Sequence, residues 1–275
     1  MTYHQFWHPL TAVCDEREAR AVASWLLDVA FGLSLTDVAA GAVEGMQGEQ
    51  LQQLTDMQQR LLQGEPVQYV AGVADFGPRQ FMVSPAVLIP RPETYELCQW
   101  VAASGGQQVL DIGTGSGCIA CTLALDTPGA TLSAWDISAE ALHVARANAQ
   151  RLGVHVAFEL CDALHATPPE APLWHVIVSN PPYICRSERH HMQQQVTDHE
   201  PSLALFVPDD DPLLFYRAIA RYALRALLPG GMLFFELDAA HATTTEQLLR
   251  DMGFSTVERR NDQFGRPRFL KAIRP

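Results

Sequence analysis

No stretch of the 275-residue chain reaches the roughly 18–20 consecutive apolar residues that a membrane span needs. Ser24, Asp28 and Gly32 interrupt the best early candidate, so a membrane protein is not expected. Basic residues are scarce. Lys and Arg number 19 against 31 Asp and Glu, a formal charge of −12, and the mean field repels a phosphate backbone; direct nucleic-acid binding is not expected. The six cysteines (14, 98, 118, 121, 161 and 185) are too sparse for a disulfide scaffold and suit a reducing compartment. Met1 to Leu10 has no basic segment followed by an apolar one, and Asp15, Glu16 and Glu18 argue against a basic transit peptide. A cytoplasmic location is expected. What is present is a globular composition, 48% hydrophobic and 18% charged, in a chain long enough for one large or two smaller domains.

The texture changes along the chain. Between Asp15 and about Gly64 it is helical: Val22, Leu26, Val29 and Leu33 recur every three to four residues, as do Leu51, Leu54, Met57 and Leu61. Leu35 to Val43 is a shorter helical candidate. Gly64-Glu65-Pro66 is a stop signal, because glycine can take the left-handed cap and proline cannot continue the helix. Val67 to Val83, rich in β-branched and aromatic residues and cut by Gly72, Gly77 and Pro78, predicts a hairpin or extended linker. Pro85, Pro90 and Pro92 stiffen a loop, with Pro92 placed for the first turn of a helix through Leu97 and Val101. After residue 107 short apolar runs alternate with helical segments, which implies a mostly parallel sheet covered on both faces. The predicted strands are 107–112, 131–136, 154–160, 174–179, 232–237, 255–259 and 268–273, with helices at 117–125, 139–152, 212–228 and 243–252. The last two strands have no helix between them and are expected to pair antiparallel.

Three constellations carry chemistry. Val109-Leu110-Asp111-Ile112 leads into Gly113-Thr114-Gly115-Ser116-Gly117 and then a helix. Glycines admit positive φ and close ligand approach. Such a loop serves nicotinamide, flavin or S-adenosylmethionine equally, but Gly-x-Gly-x-Gly is not the Gly-x-Gly-x-x-Gly of dinucleotide folds. Asp136, ending the next strand, can accept both hydroxyls of a ribose; the bland alternative is a helix cap, a role Ser138 could itself fill. Asp162, after Cys161, could meet an adenine amino group or belong to an ordinary strand-end turn. The third constellation is Asn180-Pro181-Pro182-Tyr183 after the apolar Val176-Ile177-Val178. Two prolines make a rigid corner at which the Asn180 side-chain oxygen and the Pro181 carbonyl can accept both hydrogens of one planar NH2 group while the Tyr183 ring covers its face. An ordinary turn needs neither the asparagine nor the aromatic.

With these residues in view the chain resembles the S-adenosylmethionine-dependent N5-glutamine methyltransferases of peptide chain release factors, the PrmC or HemK family. The similarity covers nearly all the chain after residue 60. It is carried by Gly64-Glu65-Pro66-Val67-Gln68-Tyr69, Ile89-Pro90-Arg91-Pro92-Glu93-Thr94, Asp111 to Ala120, Trp135-Asp136-Ile137-Ser138, Ala145-Arg146-Ala147-Asn148 and Asn180 to Tyr183. Glu200-Pro201, Leu203-Ala204-Leu205, Phe215-Tyr216-Arg217 and Phe235-Glu236 follow in the same order. Two positions depart: Tyr95 stands where the family usually has Glu, and Ala163 where it often has an aromatic.

The resemblance implies an α/β fold, a seven-stranded Rossmann-like class I S-adenosylmethionine-dependent methyltransferase domain preceded by a small helical domain. The expected divisions are a helical substrate-recognition domain over 1–64, a hairpin linker over 65–92 and the methyltransferase domain over 93–275. The cofactor is expected on Asp111, Gly113, Thr114, Gly115, Ser116, Gly117, Asp136, Asp162 and Asn180. Asn180, Pro181, Pro182 and Tyr183 are expected to hold the substrate, with Asn180, Pro181 and Tyr183 catalytic. The implied reaction methylates the N5 amide of the glutamine in the Gly-Gly-Gln motif of a release factor, by a monomer.

Two other readings remain. An adenine-N6 nucleic-acid methyltransferase also grips a planar NH2, but it needs a flipped base and a basic track. A non-catalytic cofactor module has no need of the Asn-Pro-Pro-Tyr corner. No metal is expected: Cys118 and Cys121 have no second cysteine pair and lie inside a helix. His190, His191 and His199 fall without ordered spacing in a polar stretch where a mobile loop is expected.

Overall fold

The computed structural model describes residues 1–275, which divide into two units: Met1–Ala74 with Gln193–His199, and Asp75–Met192 with Glu200–Pro275. The first begins with α1 (Tyr3–Trp7) and a 3-10 turn over His8–Ala12, followed by α2 (Glu16–Phe31), α3 (Leu35–Ala39), α4 (Gly48–Leu62) and α5 (Val67–Ala71). Capping sets these ends. Asp15 accepts from Glu18 N and Gly32 closes α2 at φ 68°, while Ser34 and Asp37 form a capping box on α3. The core is built around Phe6, Leu10, Leu26, Leu27 and Leu54. Gln58 joins α4 to α1 by donating to the carbonyls of Gln5 (2.8 Å) and Phe6 (2.6 Å).

Residues 67–71 form a helical turn, where the composition predicts an extended segment or hairpin. The Pro66 carbonyl accepts from Tyr69 and Val70 N–H, Gly72 ends the turn at φ 76°, and burial of Tyr69 and Val70 overrides the β-branched composition. The predicted hairpin starts later, as β1 (Val73–Phe76) and β2 (Arg79–Met82) around Gly77-Pro78. Tyr95 lies against Gly77 and packs edge-on to Phe76, with centroids 5.5 Å apart. The unusual residue at 95 thus serves the hairpin.

In the second unit the chain runs through α6 (Pro92–Ser104), β3 (Gln108–Ile112), α7 (Cys118–Asp126), β4 (Thr131–Asp136), α8 (Ala139–Leu152), β5 (Val156–Leu160) and β6 (Trp174–Ser179). Then come β7 (Ile184–Cys185), α9 (Gln194–His199, grouped with the first unit), α10 (Ser202–Leu205), β8 (Phe206–Val207) and α11 (Leu214–Ala226). The chain ends with β9 (Leu227–Glu236), α12 (Ala242–Asp251), β10 (Thr256–Asn261) and β11 (Pro267–Ile273). The seven-stranded sheet has the order β10-β11-β9-β6-β3-β4-β5, parallel except for β11, which is antiparallel to both neighbours.

Strand alternation builds both faces. Val109, Val176, Val178 and Phe234 pack on the side of α6 and α7, whereas Leu110, Ile177, Leu233 and Phe235 pack on the side of α11 and α12. From β3 the chain moves outward to β4 and β5, then returns to β6 on the other flank of β3. That reversal opens a crevice at the carboxyl ends of the strands.

Two predicted boundaries move. β9 starts at Leu227 rather than 232, because α11 stops at Ala226 and a register shift opposite Trp174 and Val176 accommodates Pro229-Gly230-Gly231. The predicted loop after Tyr183 contains β7, a 3-10 turn over Arg186–His191 and α9, with Glu188 accepting from Cys185 N at 2.9 Å.

Candidate functional site

A cavity of about 240 Å³ opens at the carboxyl ends of β3, β4, β5 and β6. Its floor is the glycine loop. Gly113 (φ 77°) and Gly115 (φ 54°) take left-handed conformations, and a Cβ on either would meet nothing within 4 Å, so the backbone is open to close approach. Four of the loop's five N–H groups are engaged. Those of Gly113 and Thr114 donate to the Trp135 carbonyl (both 2.9 Å), Gly117 to Thr114 O (2.8 Å) and Gly115 to Asp136 Oδ2 (2.8 Å). A pyrophosphate needs such donors free. This loop instead suits a ligand that packs against backbone and carries no phosphate.

Gly117 and Asp111 do not line the cavity. Gly117 caps α7, and a Cβ there would stand 3.1 Å from that of Ala145, so its missing side chain lets α7 and α8 pack together. Asp111 is fully buried beneath the loop and accepts from Thr114 Oγ1 at 2.6 Å. Burial pushes its carboxyl up to about 7, against the lowering effect of the Thr114 bond.

Asp136 lines the cavity at the end of β4. Its oxygens accept from Gly115 N and Ser138 N (2.9 Å), while Ser138 is the residue that caps α8 by accepting from Ala141 N. Asp136 therefore braces the loop and still offers lone pairs to a diol. Asp162 also lines the cavity, but both its oxygens serve its own turn, with Leu164 N at 2.9 Å and His165 Nδ1 at 2.7 Å. Ile137, Ala163 and Leu164 add an apolar wall with no aromatic in it.

Across the crevice Asn180, Pro181 and Pro182 line the cavity after β6, whose last residue, Ser179, is tied to β3 by a 2.7 Å bond to Ile112 O. Asn180 Nδ2 donates to Thr94 Oγ1 at 3.3 Å, and Thr94 Oγ1 donates to Glu236 Oε2 at 2.7 Å. That leaves Asn180 Oδ1 as an available acceptor. Tyr183 is not among the lining residues. It is half-buried against the α11 side of the sheet, and burial raises its hydroxyl pKa.

Sequence reasoning gave Thr94, Glu236 and Glu200 no role. Glu200, whose side chain is 1% exposed, accepts from Ile89 N (3.1 Å) and pairs with Arg91, pinning the Ile89-Pro90-Arg91 segment that forms the cavity's lip. Cys118 and Cys121 are buried in α7, where burial pushes both thiols up to about 12, far from a reactive or ligating thiolate.

Comparison with known proteins places this architecture. The family model "PrmC N-terminal domain" matches residues 11–72 and "Methyltransferase small domain" matches 94–199. A release factor glutamine methyltransferase of Bacteroides thetaiotaomicron is 40% identical over 267 residues, covering 96% of each chain. The chain belongs to the release factor glutamine methyltransferase family. A second member, from Chlorobaculum tepidum, is 46% identical over 201 residues, 68% of each chain. Among solved structures, the fold is shared with the 16S rRNA N2 G1207 methyltransferase of T. thermophilus (TM-score 0.53, 19% identity), over 74% of this chain and 50% of that one. As a release factor glutamine methyltransferase family member, the protein carries the seven-stranded methyltransferase fold after a helical N-terminal domain.

Proposed function

We propose that the protein transfers a methyl group from S-adenosylmethionine to the N5 amide nitrogen of the glutamine in the Gly-Gly-Gln motif of peptide chain release factors, in the cytoplasm. The observation that carries this reading is Asn180 in the cavity lining, its Nδ2 donating to Thr94 and its Oδ1 left as an acceptor. The residues fit S-adenosylmethionine: an open glycine backbone with most of its N–H groups already engaged, a carboxylate at Asp136 for a ribose diol, and the Ile137, Ala163 and Leu164 wall for an adenine. When bound, it supplies an electrophilic methyl group on a sulfonium.

The chain's part is to prepare a poor nucleophile. An amide nitrogen's lone pair is delocalised into its carbonyl. Asn180 Oδ1 and the Pro181 carbonyl, accepting its two hydrogens, would hold that lone pair toward the methyl group and stabilise the positive charge that develops on nitrogen. No strong base is required, since the methylated cation loses its proton readily to water. Alignment of two bound reactants can contribute on the order of 7–11 kcal/mol. The helical N-terminal unit is assigned a share in holding the protein substrate.

The test is transfer of labelled methyl from S-adenosylmethionine to a purified release factor, beside its Gly-Gly-Ala variant and a DNA duplex. Label on the parent factor alone is expected. Label on the DNA, or equal label on the Gly-Gly-Ala variant, would overturn the assignment.

A further inference from the structure

The Asn180 amide can sit in two orientations of almost identical shape, and only one serves the reaction. With Oδ1 toward the cavity it accepts from a substrate NH2; flipped, it sets donor against donor. Steric packing cannot choose between them, so a hydrogen-bonding partner must.

That partner is Thr94, in the first turn of α6, its residue 3% exposed. A threonine hydroxyl has one proton and two lone pairs. Thr94 directs its proton to Glu236 Oε2 at 2.7 Å, so only lone pairs face Asn180 at 3.3 Å, and only the Nδ2 end of the amide can meet them. Glu236, the last residue of β9, is 2% exposed and has no ion pair, Arg268 being held by Asp262 at 3.2 Å. A buried carboxylate without an ion-pair partner is costly where packing is the sole requirement. Its placement is explained by the proton it accepts.

We propose that Thr94 and Glu236 are positioning residues that select the productive orientation of the Asn180 side-chain amide. This rests on Asn180 being the acceptor for the substrate amide. It assigns a role to two residues 142 positions apart that meet the substrate motif only in the folded chain.

The first test compares Thr94→Val, which keeps the shape and removes the hydroxyl, with Thr94→Ser, which keeps the hydroxyl. In single-turnover transfer to a release factor, Thr94→Val is expected to lose about ten- to a hundredfold in rate, the scale of a misplaced reacting group, with S-adenosylmethionine affinity by calorimetry unchanged. Thr94→Ser should recover most of that rate. In an Asn180→Ala background the valine substitution should cost little more, because its effect passes through Asn180. A serine variant as slow as valine, or a valine penalty that persists in the Asn180→Ala background, would show a packing role and overturn the proposal.

A second readout needs no substrate. The chain has three asparagines, 148, 180 and 261, so ¹⁵N-asparagine labelling gives three side-chain amide pairs, with that of Asn180 assigned by its loss in Asn180→Asp. Exchange of its hydrogens with solvent should quicken in Thr94→Val and not in Thr94→Ser, while the Asn148 and Asn261 signals report an intact fold. If the parent enzyme methylates no release factor, the functional reading falls and this signal still decides the orientation: unaltered exchange in Thr94→Val sinks the relay.

Discussion

Asn148 satisfies both backbone groups of Met82: its Oδ1 accepts from Met82 N at 2.7 Å and its Nδ2 donates to Met82 O at 2.9 Å. The same Nδ2 donates to Ser116 O at 2.9 Å. One fully buried amide on α8 thus ties the end of the β1–β2 hairpin to the glycine loop, 32 residues away in sequence. The loop's shape depends on this tie as well as on its glycines.

Asn148→Ala would leave the part-buried Met82 N–H and carbonyl and the buried Ser116 carbonyl without this partner. The expected loss is ~2–4 kcal/mol of stability, from buried polar groups left unmet. Urea denaturation measures it. A change below about 1 kcal/mol would mean that water or a shifted backbone replaces the bonds.

Asp136→Ala removes the proposed diol acceptor and also the brace on Gly115 N. S-adenosylmethionine binding should weaken by ~1.5–3 kcal/mol, the scale of hydrogen bonds to a charged group. Nicotinamide dinucleotides should not bind the parent, since four of the loop's five N–H groups are already engaged. Calorimetry giving equal S-adenosylmethionine affinity in the variant would remove Asp136 from the ribose site.

Much of the fold was legible because its signals are local. Thr131–Asp136, Trp174–Ser179 and Ala139–Leu152 occur where apolar run, alternation and capping placed them. The first helix, Tyr3–Trp7, is too short for periodicity, although Thr2 and Gln5 form the capping box that could have announced it. Val67–Ala71 went unseen because burial overrode the β-branched composition. The site divides similarly. Gly113–Gly117, Asp136 and Asn180 lie in contiguous motifs at strand ends, whereas Thr94 and Glu236 gain their roles from contacts 86 and 142 residues apart in sequence. No spacing rule encodes such a meeting. Asp162 also lies at a strand end that the sequence marks, lining the cavity while its carboxylate meets Leu164 N and His165 Nδ1.

Asn180→Ala should lower kcat by roughly a hundred- to a thousandfold, ~2.7–4 kcal/mol, the typical cost of removing one preorganised hydrogen-bonding group at a reacting centre. Cofactor affinity should change far less. Asn180→Asp keeps an acceptor at the cavity and adds a negative charge near the developing cation, so it should retain more activity than alanine. It also replaces the Nδ2 donor with an oxygen facing the Thr94 lone pairs, so it should fall short of the parent. Single-turnover rates rank the three proteins; an alanine variant as fast as the parent would take this motif out of the chemistry.

Burial pushes the Glu236 carboxyl up to about 7; the Thr94 bond and the Arg268 and Arg91 charges lower it, and Glu93 raises it. Protonated Glu236 can donate to Thr94 instead of accepting from it, which frees the Thr94 proton to turn toward Asn180 and favours the flipped amide. The single-turnover rate should therefore rise with pH through about 7, and this rise should be absent in Glu236→Gln. Asp111, also pushed up to about 7 by burial, lies beneath the glycine loop, so its titration should register in cofactor affinity. Stability runs the other way. Both carboxyls have folded values raised above their unfolded ones, so the folded state binds protons more tightly. Their contribution to stability is full below about pH 4 and is lost as pH rises through about 7. Between about pH 5 and 8, urea midpoints of the parent should fall relative to Glu236→Gln while the parent's transfer rate climbs. A parent rate that stays flat across that range, with the cofactor saturating, would separate the Glu236 charge from the orientation of Asn180.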